Sequence, residues 1–458
     1  MSEMMGKTDR SARARRTWRW TGALSALAVA LLCVGCCLPA AARAEDLLEI
    51  YDLARRNDPV LAMARAVQGG QTEVARQARA ALLPQWSAQY AELRYQADGS
   101  REHQLTHSLS QVLLDLGKLR TWDAAQSSAS AEEARVQAAQ ADLCARVATA
   151  YFGVLTAQAS LTTTQALEAA YRQQVDQAQA RFDAKLSAAQ DVEQARAYYE
   201  LARVSTAQAQ ETLADARQAL AQITGQMPGT LRTLAPDLPM APPDPADAQA
   251  WVSQALQDNP GLRAGALDLT ASEQRVAAAG AAHWPTLSMG LDGERRAGTA
   301  VAAPDGRYTT TVGLRLTIPL FAGGAIESQK RQAVYQREHQ KDDLEAARRT
   351  VIRSTQGYYQ AVLSSLSQMR TTRAAVDAAE KALASTRSGL ELGARSMTDL
   401  LLAIQTQSNA RSAWEQARHR HVLAKLLLQQ AAGRLGEPQL AAVNLLLLPG
   451  TPDADPLP

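Results

Sequence analysis

The sequence predicts a mainly α-helical protein with an internal two-fold repeat, in which each half adds one β-hairpin. Two long tracts, 85–227 and 320–437, contain no proline. Such tracts favour helices and strands of unusual length, because proline removes a backbone donor and clashes with the preceding turn. An offset of 208 residues aligns Asp191 with Asp399 and keeps similar residues matched on both sides of them. The two halves are therefore expected to share one fold.

Residues 1–44 are typical of a secretory signal peptide. A cluster of arginines precedes an apolar run from Thr21 to Leu38. The sequence Ala-Arg-Ala at 42–44 then matches the small-residue pattern of a cleavage site. Cleavage after Ala44 makes Glu45 the first mature residue. The mature chain is then exported from the cytoplasm.

Two alternatives to this cleavage stay open. The apolar run can act as an uncleaved membrane anchor, although it is short for a span of about 20 residues. Lipidation at Cys36 is the other, with Cys33 at the position that a lipobox fills with Leu or Val.

Charge and cysteine content bound the partners of the mature chain. Without residues 1–44 the formal net charge falls from +2 to -3, so the apparent basicity belongs to the signal peptide. No nucleic-acid partner is expected, because such proteins keep a basic surface. Only Cys144 of the four cysteines remains, and we expect it to be a small buried residue in a helix.

The first repeat is predicted at 45–226 and the second at 248–436. Each begins with two helices that an Asn-Asp-Pro or Asp-Asn-Pro sequence separates, and Pro59 matches Pro260. The period of apolar residues then changes from about 3.6 to 2, which indicates strands. Strand hairpins are predicted at about 85–114 and 286–320, with a loop between Asp292 and Tyr308 in the second.

The best strand alternates cleanly between apolar and polar residues. Val312, Leu314 and Leu316 lie on one face, and Arg315 lies on the other with threonines. Strands of about ten residues cross a bilayer when they are tilted. Four strands cannot close on themselves, so the sheet either packs on a helix or is completed by further copies of the chain.

Two helical hairpins follow the strands. A helix of roughly 65 residues, about 100 Å long at 1.5 Å per residue, is expected from Leu116 to Phe182, with a counterpart from Gly324 to Leu390. The returning helices end at glycines, and the hairpin tips are predicted near 183–191 and 390–399. Helices of this length need partners throughout, which favours a coiled-coil or helical-barrel assembly.

The remaining segments carry little predicted structure or chemistry. A proline-rich connector at 227–247 and a tail at 437–458 are expected to be extended or disordered. His419 and His421 lie on different sides of a helix and are interpreted as solvated, not as metal ligands. No catalytic motif stands out, so we expect neither an enzyme nor a cofactor.

Six short motifs recur in a specific order and spacing across about 45–440, although each is weak alone. They are EDLLEIYDLARRNDP at Glu45, ATAYFGVLTAQ at Ala148, ARFDAKLSAAQDVEQARAYYE at Ala180, RQALAQITG at Arg217, LRLTIPLFAGG at Leu314 and GARSMTDLLLA at Gly393. These motifs, with the order and duplication of the segments, resemble the TolC family of outer-membrane efflux and secretion channels.

This resemblance implies a homotrimer in the outer membrane. Four strands per chain would complete a twelve-stranded transmembrane β-barrel, surrounded by outer-membrane lipid, and the coiled coils would continue it as a long periplasmic helical barrel. The channel would be the exit duct of a tripartite efflux pump or a type I secretion system. Its partners would be a periplasmic adaptor (membrane fusion) protein and an inner-membrane transporter, and drug or protein export remain alternatives.

The resemblance also implies a closed constriction at the periplasmic tip. Asp399 matches a pore aspartate, Arg395 a tip arginine and Asp191 the acceptor of that arginine. There are four departures. Leu402 replaces a second pore aspartate, Leu390 a tyrosine and Gln190 a threonine of the family pattern, and Lys185 stands where Gly393 lies in the second repeat. A single acidic ring is therefore expected at the pore, and Arg315 is expected to face the barrel lumen.

A rival hypothesis is a secreted periplasmic coiled-coil adaptor or structural protein without a pore. Such a protein has no reason for apolar strand faces of membrane-crossing length. The strand hairpins therefore discriminate between the two functions.

Overall fold

The computed structural model describes residues 45–299 and 306–448. The predicted signal peptide and its alternatives, part of the second strand loop, and the last ten residues of the tail lie outside these ranges. The elements, in chain order, are α1 Leu47–Asn57, α2 Pro59–Ala80, β1 Gln85–Arg94, β2 Arg101–Leu114, α3 Leu116–Asp183, α4 Ala189–Thr224, β3 Thr233–Leu234, α5 Ala248–Asp258, α6 Pro260–Ala281, β4 Thr286–Gly298, β5 Tyr308–Thr317, α7 Ala325–Glu391, α8 Met397–Ala431, α9 Glu437–Asn444 and β6 Leu447–Leu448.

Both halves begin with the expected pair of short helices. Asp58 accepts from the backbone N–H of Leu61 at 2.8 Å and caps α2, while Pro59 occupies the first turn, where its missing N–H costs nothing. Asn259 caps α6 in the same way, followed by Pro260. The Asp58 carboxylate is also held by Arg146 of α3, at 2.8 Å. These caps and prolines mark the sharp boundary between the two short helices of each half.

The four long strands form one antiparallel sheet in the order β1-β2-β4-β5. Strand β4 runs to Gly298, so the predicted loop after Asp292 was placed too early. Glycine at 293 and 298 explains the error: both sit where a Cβ would meet the neighbouring strand or the Tyr308 ring, so they belong to tight pairing. The sheet has two free edges, β1 and β5.

The helices follow the same lateral order as the strands. The 68-residue α3 packs against α2, α4 and α6, and α6 also contacts α7. The largest core lies where α1, α3, α4 and α8 meet, and it includes Tyr151 and Cys144 as buried residues. A second core, further along the hairpins, joins α3, α4, α7 and α8. Among residues 45–299 and 306–448, no helix is both long and apolar enough to cross a membrane.

The connector and the tail are more ordered than the sequence suggests. Strand β3 of the connector pairs with β6 of the tail, and α9 forms within the tail. Leu440 of α9 is completely buried in the main core. The expectation of an extended or disordered segment is therefore wrong for α9, because its apolar side chains have a core to pack on. Strands β3 and β6 are extended, as the expectation allows.

Candidate functional site

The tip of the molecule consists of two turns, residues 184–188 after α3 and 392–396 after α7. Gly393 adopts a left-handed φ of 75° in the second turn, which glycine does without steric cost. Lys185 stands at the matching position of the first turn with a φ of 56°. A non-glycine residue in this backbone conformation costs about 1–2 kcal/mol. Contacts elsewhere in the structure must therefore hold Lys185 in a conformation that the residue itself disfavours.

Asp399 lies in the first turn of α8 and caps that helix. Its Oδ2 accepts from the backbone N–H of Ser396 at 3.0 Å, and its own N–H donates to the Ser396 Oγ at 3.1 Å. The backbone N–H of Ser396 and the Ser396 hydroxyl, with Arg395 nearby, hold the pKa of the Asp399 carboxyl below its usual value. Asp399 is therefore ionised at neutral pH and has a structural task besides any role in a pore.

Arg395 is exposed in the turn between α7 and α8. Its side chain lies over Gly389, where an added Cβ would come within 2.7 Å of the Arg395 Cγ. Within one protomer, over residues 45–299 and 306–448, Arg395 forms no ion pair with Asp191. The predicted partnership of these two residues thus concerns neighbouring hairpins of an assembly and stays a prediction.

A different pair joins the two hairpins at the tip of one chain. The Thr398 Oγ1 donates to the Gln194 Oε1 at 2.9 Å, from the start of α8 to the start of α4. Gln190, which the sequence placed in the site, is exposed one turn earlier in α4. Sequence reasoning missed Gln194, because the 208-residue offset aligns Thr398 with Gln190.

The tip core lies just behind these residues and centres on Tyr171. This side chain is 1% exposed, and its hydroxyl lies 3.0 Å from the Gln405 Oε1 and 3.2 Å from the Leu401 carbonyl oxygen. Its ring stands edge-on to Tyr198 of α4, with centroids 5.5 Å apart. Burial raises the pKa of the Tyr171 hydroxyl to about 12, so it remains a hydrogen-bond donor. Tyr171 thereby joins α3, α4 and α8.

The two leucines that depart from the family pattern behave differently from each other. Leu390 is half-buried and packs against the tip core. Leu402 is 50% exposed in the single chain, on the opposite side of α8 from the buried Leu400 and Leu401. Leu402 therefore offers an apolar side chain on the α8 face that carries no intrachain core.

The sheet has one apolar face and one polar face. Trp86, Leu109, Leu291 and Val312 form one row across the four strands, because directly paired residues share a face. Arg315 pairs with Ser288 on the other face. The alternation used for Arg315 is thus present in the fold, whereas its position in a lumen stays a prediction.

The histidines of α8 contradict the sequence interpretation. His419 and His421 do point to different sides, but both are buried. His419 Nδ1 lies 2.9 Å from the Thr156 hydroxyl of α3, and His421 Nδ1 lies 2.9 Å from the Ser365 hydroxyl of α7. They are not solvated because α8 is enclosed between α3 and α7 at this level. Burial lowers the pKa of each imidazole to about 4.

A cavity of about 650 Å³ lies beside α6 and α7, and one of about 1280 Å³ lies between the two helical hairpins. The larger cavity lies between the tip core and the part of α8 that carries His419 and His421, which is called the histidine level. Trp414, Arg411 and Arg418 are among the residues that line this cavity. In the ranges 45–299 and 306–448, no group of three His, Cys, Asp or Glu residues could hold a metal ion.

Comparison with known proteins identifies the family. The outer membrane efflux protein pattern matches residues 50–226 and 251–435, which lie in the two halves of the chain. The chain is 31% identical over 420 residues to the outer membrane protein TolC of Vibrio cholerae, covering 89% of this chain and 95% of that protein. It is 27% identical to the alkaline protease secretion protein AprF of Pseudomonas aeruginosa, covering 87% and 86%.

A solved structure shares the fold. The crystal structure of CusC superposes with a TM-score of 0.76 at 20% identity, over 86% of this chain and 93% of CusC. The order of elements, the duplicated family pattern and the length of the match to TolC agree with one another. The chain belongs to the outer membrane efflux protein family.

Proposed function

We propose that this protein is an outer-membrane channel-tunnel that serves as the exit duct for drug efflux or type I protein secretion. The observation that carries the proposal is the four-stranded sheet with one exposed apolar face, continued directly into two helical hairpins of about 100 Å. Family membership supports the same function, since relatives named for outer-membrane efflux and for protease secretion match most of the chain.

The free edges of the sheet support a trimer. An antiparallel sheet of four strands leaves the backbone groups of β1 and β5 unpaired, which is not tolerated within a bilayer. Pairing β5 of one chain with β1 of the next closes a barrel, and with the three copies that the resemblance to the TolC family implies this barrel has twelve strands. The helices that flank these edges, α2 and α7, are the most exposed ones and would meet in the same interface.

The long hairpins support a role between two membranes. Their length carries the tip far from the sheet, toward the inner membrane, where an adaptor and an energised transporter would supply the cargo. The channel itself only conducts, and the partner transporter selects drugs or proteins. No cofactor or catalytic step enters this proposal, and the homologous proteins are channels.

The apolar sheet face also argues against a pore-free periplasmic adaptor. Trp86 is 78% exposed, and Leu314 and Val312 are about two-thirds exposed on the same face. A soluble protein would cover such a surface with an amphipathic helix. The sheet therefore favours a lipid environment.

The experiment is fractionation followed by electrophoresis. We expect the mature protein in the outer membrane, as a trimer that persists in detergent and dissociates on heating. A variant with Val312→Asp and Leu314→Asp on the apolar face should leave that fraction, whereas Thr311→Asp and Thr309→Asp on the polar face should stay there. Recovery of the wild-type protein in the soluble periplasm, without heat-labile trimers, would overturn the proposal.

A further inference from the structure

We propose that the outward face of the sheet binds the phosphorylated glycolipid of the outer leaflet through three arginines near the strand loops. These residues, Arg94, Arg101 and Arg295, are called the basic rim. The inference rests on the proposed function, since it needs the apolar sheet face to contact lipid. It adds a partner that the channel function does not require.

Strand register places the basic rim on the apolar face. Arg94 of β1 pairs with Arg101 of β2, and Arg295 pairs with Leu105 on one side and Tyr308 on the other. Paired residues point to the same face, and alternate residues along each strand return to it. Counting back along β4 in steps of two from Arg295 reaches Leu291, which lies in the apolar row. All three arginines are exposed.

The height of the basic rim fits the boundary of a membrane. From Leu316 to Tyr308, strand β5 rises about 26 Å, or about 20 Å along the membrane normal at the usual strand tilt. Arg295 lies level with Tyr308, at the top of this apolar stretch. Arg94 and Arg101 lie four residues further up, about 10 Å along the normal. The arginines thus cover the depth of a lipid head group.

The end of the sheet with the basic rim is the outer one. The loop 95–100, the end of β4 and the start of β5 lie here, whereas the opposite ends of the four strands connect to α2, α3, α6 and α7. Because the helical hairpins reach into the periplasm in the proposed function, this end faces the outer leaflet. The lipid met there carries phosphate groups on its sugars.

Positive charge is in excess on the apolar face at this end. Among the described strand residues, Glu92 is the single carboxylate on that face, against the three arginines of the basic rim. On the polar face the signs are mixed, because Arg296 pairs there with Glu294. The arginines of the apolar face have no such balance of carboxylates, which indicates an anionic partner on the outward face.

The surrounding side chains suit a sugar phosphate. Tyr90 and His103 stack with ring centroids 6.3 Å apart and share a hydrogen bond of 3.0 Å, and Tyr308 lies beside His107. Aromatic rings favour the interfacial level of a membrane. The Arg295 Nε donates to the Gly306 carbonyl oxygen at 2.9 Å, which orients its remaining N–H groups. Guanidinium groups bind phosphate oxygens in pairs.

The test measures binding of lipid A to the detergent-purified trimer by native mass spectrometry. Lipid A with two phosphates is compared with lipid A with one. We expect the wild-type protein to bind the first about tenfold more tightly, and the combined variant Arg94→Gln, Arg101→Gln and Arg295→Gln to lose that preference. The matched control Arg296→Gln, at the same height on the polar face, should keep it.

Equal binding of both lipids to the wild-type protein would overturn the inference, and so would unchanged preference in the triple variant. If the triple variant forms no trimers, the wild-type preference is measured again at high salt, where an ionic contact must weaken. If high salt leaves the preference unchanged, the proposed ionic contact between the lipid phosphates and the basic rim is contradicted. Channel formation in phosphatidylcholine bilayers, which lack this glycolipid, tests the proposed function separately.

Discussion

The Tyr171 hydroxyl of α3 lies 3.0 Å from the Gln405 Oε1 of α8, so a hydrogen bond from the buried Tyr171 joins the two helical hairpins of one chain. The residues are 234 positions apart in the sequence. Behind them, toward the histidine level, the cavity of about 1280 Å³ separates the hairpins. Movement of α8 away from α3 at the tip must break this contact, whatever happens between neighbouring protomers.

We predict that Tyr171→Phe favours the open tip. The substitution removes one hydroxyl and keeps the ring against Tyr198, at a cost of about 0.5–1.5 kcal/mol per chain. Three chains act on one opening equilibrium, which makes the sum about 1.5–4.5 kcal/mol. Single-channel conductance in planar bilayers and entry of large antibiotics should both rise. Tyr335→Phe, on the exposed part of α7, is the control. If Tyr171→Phe conducts like the wild type, the Tyr171 hydroxyl does not help to hold the tip closed.

We predict that Arg395→Ala also opens the tip. Arg395 lies near Asp399 but forms no ion pair within its own chain in the described ranges, so its proposed partner is Asp191 of an adjacent hairpin. An exposed pair contributes only about 0.2–1 kcal/mol, but it is repeated around the ring. Conductance and antibiotic entry are the measurements, and Arg387→Ala on the exposed part of α7 is the control. Unchanged values for Arg395→Ala would mean that other contacts hold the tip closed.

We predict that Asp399 controls ion selectivity more than closure. Asp399→Asn keeps an oxygen acceptor for the Ser396 N–H and removes the charge, whereas Asp399→Ala would also lose the cap, at about 0.5–2 kcal/mol. Three aspartates around one axis focus a negative potential. Asp399→Asn should therefore weaken cation selectivity and block by multivalent cations, measured as reversal potentials. With Leu402 in place of a second carboxylate, this block should be weak even in the wild type. Wild-type selectivity in Asp399→Asn would place the residue outside the pore.

We predict opposite outcomes for adjacent substitutions in β5. Arg315→Leu should leave the protein in the outer membrane and change ion selectivity, because Arg315 lies on the polar face with Ser288. Leu314→Arg should impair insertion, at about 2–4 kcal/mol near the bilayer midplane. The amount of heat-labile trimer in the membrane fraction is the measurement. Equal tolerance of both changes would show that the lumen and lipid faces are assigned the wrong way round.

We predict that acid destabilises the protein through the histidines of α8. Burial lowers the pKa of His419 and His421 to about 4, below the unfolded value of about 6.5. The unfolded chain then binds more protons between these values, so stability is complete above about pH 6.5 and falls as the pH drops toward 4. The Nε2 of His421 is buried without a hydrogen-bond partner, so protonation of this atom forms no new hydrogen bond that would offset the cost of a buried charge.

The measurement is Tm in detergent between about pH 7 and pH 5. His419→Gln and His421→Gln keep a polar side chain opposite Thr156 and Ser365 but cannot titrate, so each should reduce the loss of Tm on acidification. His283→Gln, at an exposed site beside Glu327, is the control and should not. A wild-type protein whose Tm is the same at both pH values would contradict this account.

The sequence by itself determined the elements of this protein and its duplication. Proline before each strand hairpin, glycine at the ends of the returning helices and the change of apolar period act within a few residues, so they are visible in the chain. The long helices between these signals can be predicted without knowing which surfaces they pack against. The family pattern follows from the same order, which is why the type of protein was recognisable from 45–440.

Only the tertiary structure decided which faces meet. Alanine-rich helices look similar on every side, so their sequence does not tell that Tyr171 reaches Gln405, or that His419 faces Thr156 from the other hairpin. The rotation of each helix is set by the sum of many weak contacts along its whole length. The same reason explains α9, whose Leu440 is buried because the core of the other helices already provides a place for it.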